Sequence, residues 1–148
     1  MKPRFNNAPD FSLPMENGTF HLSDLEGRHR VALLFPRDEP EARATIAQIQ
    51  RGAMGWSERD LVLVLVVPGE GELLDMKPPG VFIARDERGE VARQFGALQG
   101  ETAFFLLGKI NFPVALAVDY VPADAEIFSL IDAMPMRKRE MRENNRAL

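Results

Sequence analysis

Two short apolar runs constrain the fold of this chain more than any other feature. Val31–Phe35 and Leu61–Val67 are apolar at every position, as expected for strands that are covered on both faces. Between these runs, apolar residues recur at the spacing of one helical face, at Ala42, Ile46 and Ile49. The order of strand, helix and strand predicts a right-handed βαβ unit with a parallel pair at its centre.

Further strands and helices are predicted on both sides of this unit. Asn17-Gly18 suits a tight turn, and the apolar segments beside it, Phe11–Leu13 and Thr19–Leu22, predict an N-terminal hairpin. A second antiparallel hairpin is predicted from Thr102–Leu107 and Phe112–Val121. The other expected elements are a helix starting at Pro40, a turn at Ser23–Glu26, a turn around Trp56, a strand at Val81–Ala84, and helices at Glu90–Phe95 and Asp124–Met134. The sequence therefore predicts an α/β fold with a central mixed sheet, helices on its faces and an N-terminal β-hairpin.

Length and charge distribution suggest one domain followed by a basic segment. The chain has 148 residues, of which 45% are hydrophobic, enough for a single buried core. Its formal net charge is -4. Five basic and two acidic residues give 137–148 a charge of +3, which leaves -7 for the remainder. We expect a domain at 1–136 and a basic C-terminal tail at 137–148, which is either a solvated terminal helix or a frayed end.

Composition also limits the chemistry and the partners. The chain has no cysteine, which excludes disulfides, thiol catalysis and zinc–thiolate sites. Its net negative charge argues against a nucleic-acid partner. The first ten residues do not resemble a secretory signal, and the longest apolar run is too short to span a bilayer. We therefore expect a cytoplasmic protein with no membrane contact.

The two histidines offer little support for a metal or cofactor site. His21 is expected in the N-terminal hairpin and His29 in the loop before Val31. A metal site would need both histidines and a carboxylate such as Asp24. The glycines near residue 70 lack the lysine and hydroxyl residue of a phosphate-binding loop. We therefore predict no metal and no cofactor.

Three segments, at 8–13, 22–27 and 86–96, resemble the peroxiredoxins, the alkyl hydroperoxide reductase and thiol-specific antioxidant group of the thioredoxin-like fold. The first, Ala8-Pro-Asp-Phe-Ser-Leu13, is similar to the opening strand of that family. The second, Leu22-Ser-Asp-Leu-Glu-Gly27, is similar to its short turn before the central strand. The third, at 86–96, is similar to its segment before the last hairpin. The resemblance implies a thioredoxin-like fold for nearly all of residues 8–134.

The active-site loop of the family is similar to the loop after Phe35, but its reactive residue is missing. The family pattern is roughly Pro-x-x-x-Thr-Pro-x-x-Cys, and Pro36 and Pro40 match its two prolines, with the loop about one residue shorter. Glu39 stands at the threonine position and Ala42 at the cysteine position. The resemblance therefore implies the loop of a peroxidase without its thiol.

The positioning arginine of the family is also absent. Its place corresponds to about Thr102, with Glu101 beside it, and neither residue is cationic. The positions that match the family active site are thus Pro36, Pro40, Ala42 and Thr102. Because cysteine, threonine and arginine are missing together, we assign no catalytic residue and expect no thiol peroxidase activity.

Two functional hypotheses remain. The first is a redox-inactive thioredoxin-fold module that binds a protein partner or forms a homodimer, since fold does not dictate function. The second is a small-molecule binder or non-thiol enzyme that uses a carboxylate-lined cleft, for which the grouped candidates are Asp38, Glu39, Glu41 and Glu101. Under either hypothesis, a peroxiredoxin label would describe similarity only.

Overall fold

The computed structural model of the protein describes residues 5–69, 76 and 78–147. Its strands and helices up to α4 follow the order predicted above, and a further helix, α5, comes after them. They are β1 (Ser12–Pro14), β2 (Thr19–His21), a 3-10 turn (Leu22–Leu25), β3 (Arg30–Phe35), α1 (Glu39–Arg51), α2 (Ala53–Glu58), β4 (Leu61–Val67), β5 (Val81–Arg85), α3 (Glu90–Phe95), β6 (Ala103–Leu107), β7 (Val114–Val118), α4 (Asp124–Asp132) and α5 (Pro135–Ala147).

Strand β3 lies at the centre of a five-stranded mixed sheet. The strand order is β5-β4-β3-β6-β7, and β1 and β2 form a separate antiparallel hairpin. Strand β3 is parallel to β4 and antiparallel to β6. Strand β4 is parallel to β5, and β6 is antiparallel to β7. The predicted α/β fold, with its central βαβ unit and N-terminal hairpin, is confirmed.

Alternate residues of the central strands pack into two separate apolar clusters. On one face, Val31, Leu33 and Phe35 pack with the β1–β2 hairpin and α3. On the other face, Ala32 and Leu34 pack with α1, α2 and α4. This alternation follows from the two-residue repeat of a strand. The helices that begin near Pro40 and Asp124 therefore cover the same face, and the hairpin and α3 cover the opposite one.

The second predicted hairpin is shorter than its apolar pattern. Strand β7 covers Val114–Val118 rather than Phe112–Val121. Its entry contains two non-glycine residues with positive φ, Asn111 at 60° and Phe112 at 47°, and such backbone cannot continue a regular strand. Phe112 is nevertheless 5% exposed, so its apolar character reflects burial and not strand geometry.

The C-terminal segment forms a helix in contact with the sheet. Pro135 is the first residue of α5, a position that tolerates proline because the first turn needs no backbone donor there. Arg137 in this helix is only 6% exposed, whereas the sequence predicts that residues 137–148 are solvated. The division of the chain after residue 136 stays a prediction. None of the helices in the described residues is both long enough and apolar enough to cross a membrane.

The topology places polar residues at the two opposite ends of β3. Because β4 is parallel and β6 antiparallel to β3, the start of β3, the start of β4 and the end of β6 lie together. We call this the Arg30 edge, since it contains Arg30, Asp60 and Lys109. The other end, which we call the Pro36 edge, contains Pro36 and Thr102. Strand β3 has six residues, so the two edges are about 16 Å apart.

Candidate functional site

Helix α1 begins at the Pro36 edge with a carboxylate cap. The Oδ1 atom of Asp38 accepts a hydrogen bond from the amide of Glu41 at 2.9 Å, the usual geometry of an acidic N-cap. This hydrogen bond is the main cause that lowers the pKa of Asp38, and Arg37 lowers it further. The helix starts at Glu39, with Pro40 as its second residue. The Glu41 amide in the first turn of α1 is therefore already engaged by a side chain of the protein itself.

A second carboxylate, that of Glu41, lies back over the start of the helix. Its Oε1 atom accepts hydrogen bonds from the Thr102 hydroxyl at 2.6 Å and from the Arg37 amide at 2.9 Å. Its Oε2 atom lies 3.7 Å from the Arg37 guanidinium, and the side chain is 14% exposed. The negative charge that a helix N-terminus favours is thus supplied by Glu41.

Ala42, at the position of the family cysteine, is a core residue. It has no exposed surface and belongs to the apolar cluster that also contains Leu34 and Ile46. Of the two loop prolines, Pro36 is half-buried and Pro40 is exposed. A side chain at position 42 therefore meets apolar groups and not solvent.

Only some of the predicted site residues lie close together in the structure. Thr102 is 8% exposed and joins the start of α1 through Glu41. Glu101 is exposed, and Glu39 forms an ion pair with Arg43 on the outer surface of α1 at 3.2 Å. Of the four candidate carboxylates, Asp38 and Glu41 thus lie together at the start of α1, and Glu39 and Glu101 lie apart from them. Arg37, which is not among the predicted site residues, contacts both Asp38 and Glu41.

The histidines lie outside this site. The Nδ1 atom of His21 is 2.6 Å from the hydroxyl of Ser12, its partner on the neighbouring strand. His29 is half-buried in the loop before β3. Within the described ranges, no group of three histidine or acidic side chains is arranged to hold a metal ion.

Two cavities occur elsewhere on the molecule. One of about 260 Å³ is lined by Met15, Phe82 and their neighbours, beside the N-terminal hairpin. Another, of about 360 Å³, lies at the end of α1 and is lined by residues that include Arg51 and Asp124. The lining of these two cavities contains none of the residues that match the family active site.

Solved structures of thiol-dependent proteins share this fold. A putative thiol:disulfide interchange protein DsbE from Chlorobium tepidum is 26% identical, with a TM-score of 0.66, over 85% of this chain and 96% of its own. The peroxidoxin BcpB from Mycobacterium tuberculosis is 19% identical, with a TM-score of 0.68, over 86% and 95%. A yeast mitochondrial 1-Cys peroxiredoxin is 18% identical, with a TM-score of 0.72, over 92% and 78%. The predicted thioredoxin-like, peroxiredoxin-like fold without its cysteine is therefore confirmed.

At the level of sequence families, no curated protein matches the chain. A family model described as "Domain of unknown function (DUF4174)" matches residues 21–140. The match covers the whole five-stranded sheet, the start of α1 and most of the length of the protein. The chain thus belongs to this DUF4174 family, here with a peroxiredoxin-like fold that contains no cysteine.

Proposed function

We propose that this protein is a redox-inactive thioredoxin-fold protein that acts as a binding or interaction module. The observation that carries the proposal is the position of Glu41. Its carboxylate lies at the start of α1, between Thr102 and Arg37, and the Ala42 methyl group is buried next to it in the chain.

The charge at this position opposes thiol chemistry. A reactive thiolate is stabilised by a helix N-terminus and by nearby cations. At the start of α1, the Asp38 carboxylate already accepts the Glu41 amide, and the carboxylates of Asp38 and Glu41 both pair with Arg37. A second negative charge would be repelled by both carboxylates. Since Glu41 also makes two hydrogen bonds, it has little freedom to act as a base, which favours the binding module over a carboxylate enzyme.

The proposal is tested by installing the missing sulfur with Ala42→Cys. Burial and the two carboxylates should keep the pKa of the new thiol at about 8.5 or above. We expect it to react with hydrogen peroxide no faster than a free thiol. The measurements are the alkylation rate as a function of pH and the peroxide rate by competition.

Ser57→Cys is the matched control, because Ser57 is exposed on α2 and cysteine is close to it in size. Its thiol provides the free-thiol reference in the same protein. A depressed pKa together with fast peroxide reduction in Ala42→Cys, but not in Ser57→Cys, would overturn the proposal. That result would mean that the Pro36 edge retains the environment that activates the thiol in the peroxiredoxins.

We also propose that the module forms a homodimer through β7. This strand is at the edge of the sheet and pairs only with β6 among the described strands, and Leu116 and Val118 on it are half-buried. Tyr120 nearby is 46% exposed. An apolar edge strand of this kind favours pairing with another strand. Sedimentation at a protein concentration of tens of micromolar should show a dimer, since weak interfaces are populated near such concentrations. A monomer at this concentration would exclude the proposed dimer.

A further inference from the structure

The Arg30 edge contains a second polar cluster, separate from the site at Pro36. Arg30, at the start of β3, is only 1% exposed. Its Nη1 and Nη2 atoms donate to the two carboxylate oxygens of Glu140 on α5, at 3.2 and 3.1 Å. Nη1 also donates to the carbonyl of Arg59 at 2.8 Å. This is the bidentate geometry with which arginine recognises a carboxylate.

Two further cations surround the same carboxylate. Lys109, which follows β6 and is 8% exposed, places its Nζ atom 2.8 Å from Oε2 of Glu140 and 2.8 Å from Asp60. Arg137, on α5 itself, lies 3.8 Å from Oε1. Burial works to raise the pKa of Glu140, but the hydrogen bonds from Arg30 and Lys109 outweigh it and hold the pKa below its ordinary value.

The sheet itself arranges the two cations that α5 does not supply. Arg30 is held in place by the Arg59 carbonyl and Lys109 by the carboxylate of Asp60. Arg30 lies in β3 and Lys109 follows the end of β6, so both cations belong to the sheet region and have partners outside α5. Without Glu140, Arg30 would be a buried guanidinium that lacks a counter-ion, which is strongly unfavourable. The Arg30 edge is therefore arranged to bind an anion.

Helix α5 is attached to this edge mainly by polar contacts. Among its described side chains only Arg137 is buried, Glu140 and Met141 are half-buried, and Met136 is 39% exposed. Its outer face carries basic residues, such as Arg139 and Arg142, that point to solvent. Because little apolar surface is buried, the ion pairs of Glu140 and Arg137 supply much of what holds α5 on the sheet, and a ligand that makes the same ionic contacts can replace it. An external anion can therefore compete for the position of Glu140.

We propose that Arg30 and Lys109 form a binding site for a carboxylate of an acidic peptide, and that the protein's own Glu140 fills this site while α5 is docked. The assignment to a carboxylate follows from its present occupant, a glutamate side chain on a peptide backbone. The site lies at the opposite end of β3 from Ala42 and does not rest on the function proposed above. An acidic partner would displace α5 and take the place of Glu140.

The first test removes the internal ligand and supplies a small external one. In Glu140→Ala, acetate should fill the vacated position and raise the melting temperature saturably, by about 2–4 °C. The comparison is chloride at equal ionic strength. Glu143→Ala is the matched control, since Glu143 is exposed on the same helix, and neither it nor the natural protein should show the effect. If Glu140→Ala does not fold, Glu140→Gln replaces it, with a smaller expected shift because the amide still occupies the space.

The second test uses the natural protein and follows α5 directly. Tetraglutamate should accelerate hydrogen exchange of the α5 amides saturably, whereas tetraglutamine should not. Peptide bound to the basic outer face of α5 would instead slow this exchange. The absence of an acetate effect in the Glu140 variant, or an equal effect in Glu143→Ala, would overturn the site. Unchanged or slower exchange of α5 with tetraglutamate would overturn its assignment to an acidic peptide.

Discussion

Replacement of Phe95 by alanine is expected to destabilise the fold by about 3–5 kcal/mol. Phe95, the last residue of α3, is 2% exposed and connects several aromatic rings on one face of the sheet. Its ring makes edge-to-face contacts with Phe5, Phe11 and Phe105 at centroid distances of 5.2, 5.7 and 5.5 Å. It also contacts Phe35 at 5.5 Å. Removal of the ring leaves a cavity among four partners that cannot all move inward, because Phe35 and Phe105 are fixed in neighbouring strands.

The measurement is the free energy of unfolding from urea titration. In Phe95→Leu, the leucine side chain fills most of the cavity, so the free energy of unfolding should fall by less than half as much as in Phe95→Ala. Leu98→Ala is the control for a general effect near α3, since Leu98 is 65% exposed and its loss should change stability by at most about 0.5 kcal/mol. A cost below about 1 kcal/mol for Phe95→Ala would contradict the importance of this aromatic cluster.

The second large effect is expected at the Arg30 edge, where Arg30→Met should lower the free energy of unfolding by about 3 kcal/mol. The loss of one partner of a buried ion pair typically costs about 3–5 kcal/mol. The lower end applies here, because the Glu140 side chain is 23% exposed and retains Lys109 at 2.8 Å. The destabilisation comes from the partly buried carboxylate that loses its two guanidinium hydrogen bonds.

The double variant Arg30→Met with Glu140→Met separates pairing from packing. It removes both charges and leaves apolar side chains of similar length, so part of the lost stability should return, because buried pairs can often be replaced by apolar residues at little cost. Lys109 and Arg137 then retain Asp60 and Asp132 as their acidic partners. Urea titration of the two single variants and the double variant gives the coupling energy. Costs that simply add would show that Arg30 and Glu140 act independently.

The sequence predicted the centre of the fold because burial there leaves a local pattern. Val31–Phe35 and Leu61–Val67 are apolar at every position, as expected for strands that are covered on both faces. The helical stripe of α1 is equally local. The ends of the second hairpin were less predictable, since Phe112 is buried in a backbone conformation with positive φ, and an apolar pattern does not separate burial from strand geometry.

The contacts at the two ends of β3 were not predictable from local patterns. Glu41 and Thr102 are separated by 61 residues, and the resemblance to the peroxiredoxins placed Thr102 near the loop without indicating its hydrogen bond. The segment 137–148 was predicted from its charge to be a solvated tail. The charge of the segment does not show that Glu140 is the counter-ion of Arg30. The contact of α5 with the sheet could therefore be identified only from the three-dimensional structure.

The distance along the chain between Arg30 and Glu140 also affects the order in which the protein forms. Glu140 follows Arg30 by 110 residues, and synthesis at about 5–20 residues per second separates the two on the order of 5–20 s. The partners of β3 in the sheet, β4 and β6, are made within this interval. We therefore expect Arg30 to lack its counter-ion until α5 has left the ribosome, and the Arg30 edge to become closed only then.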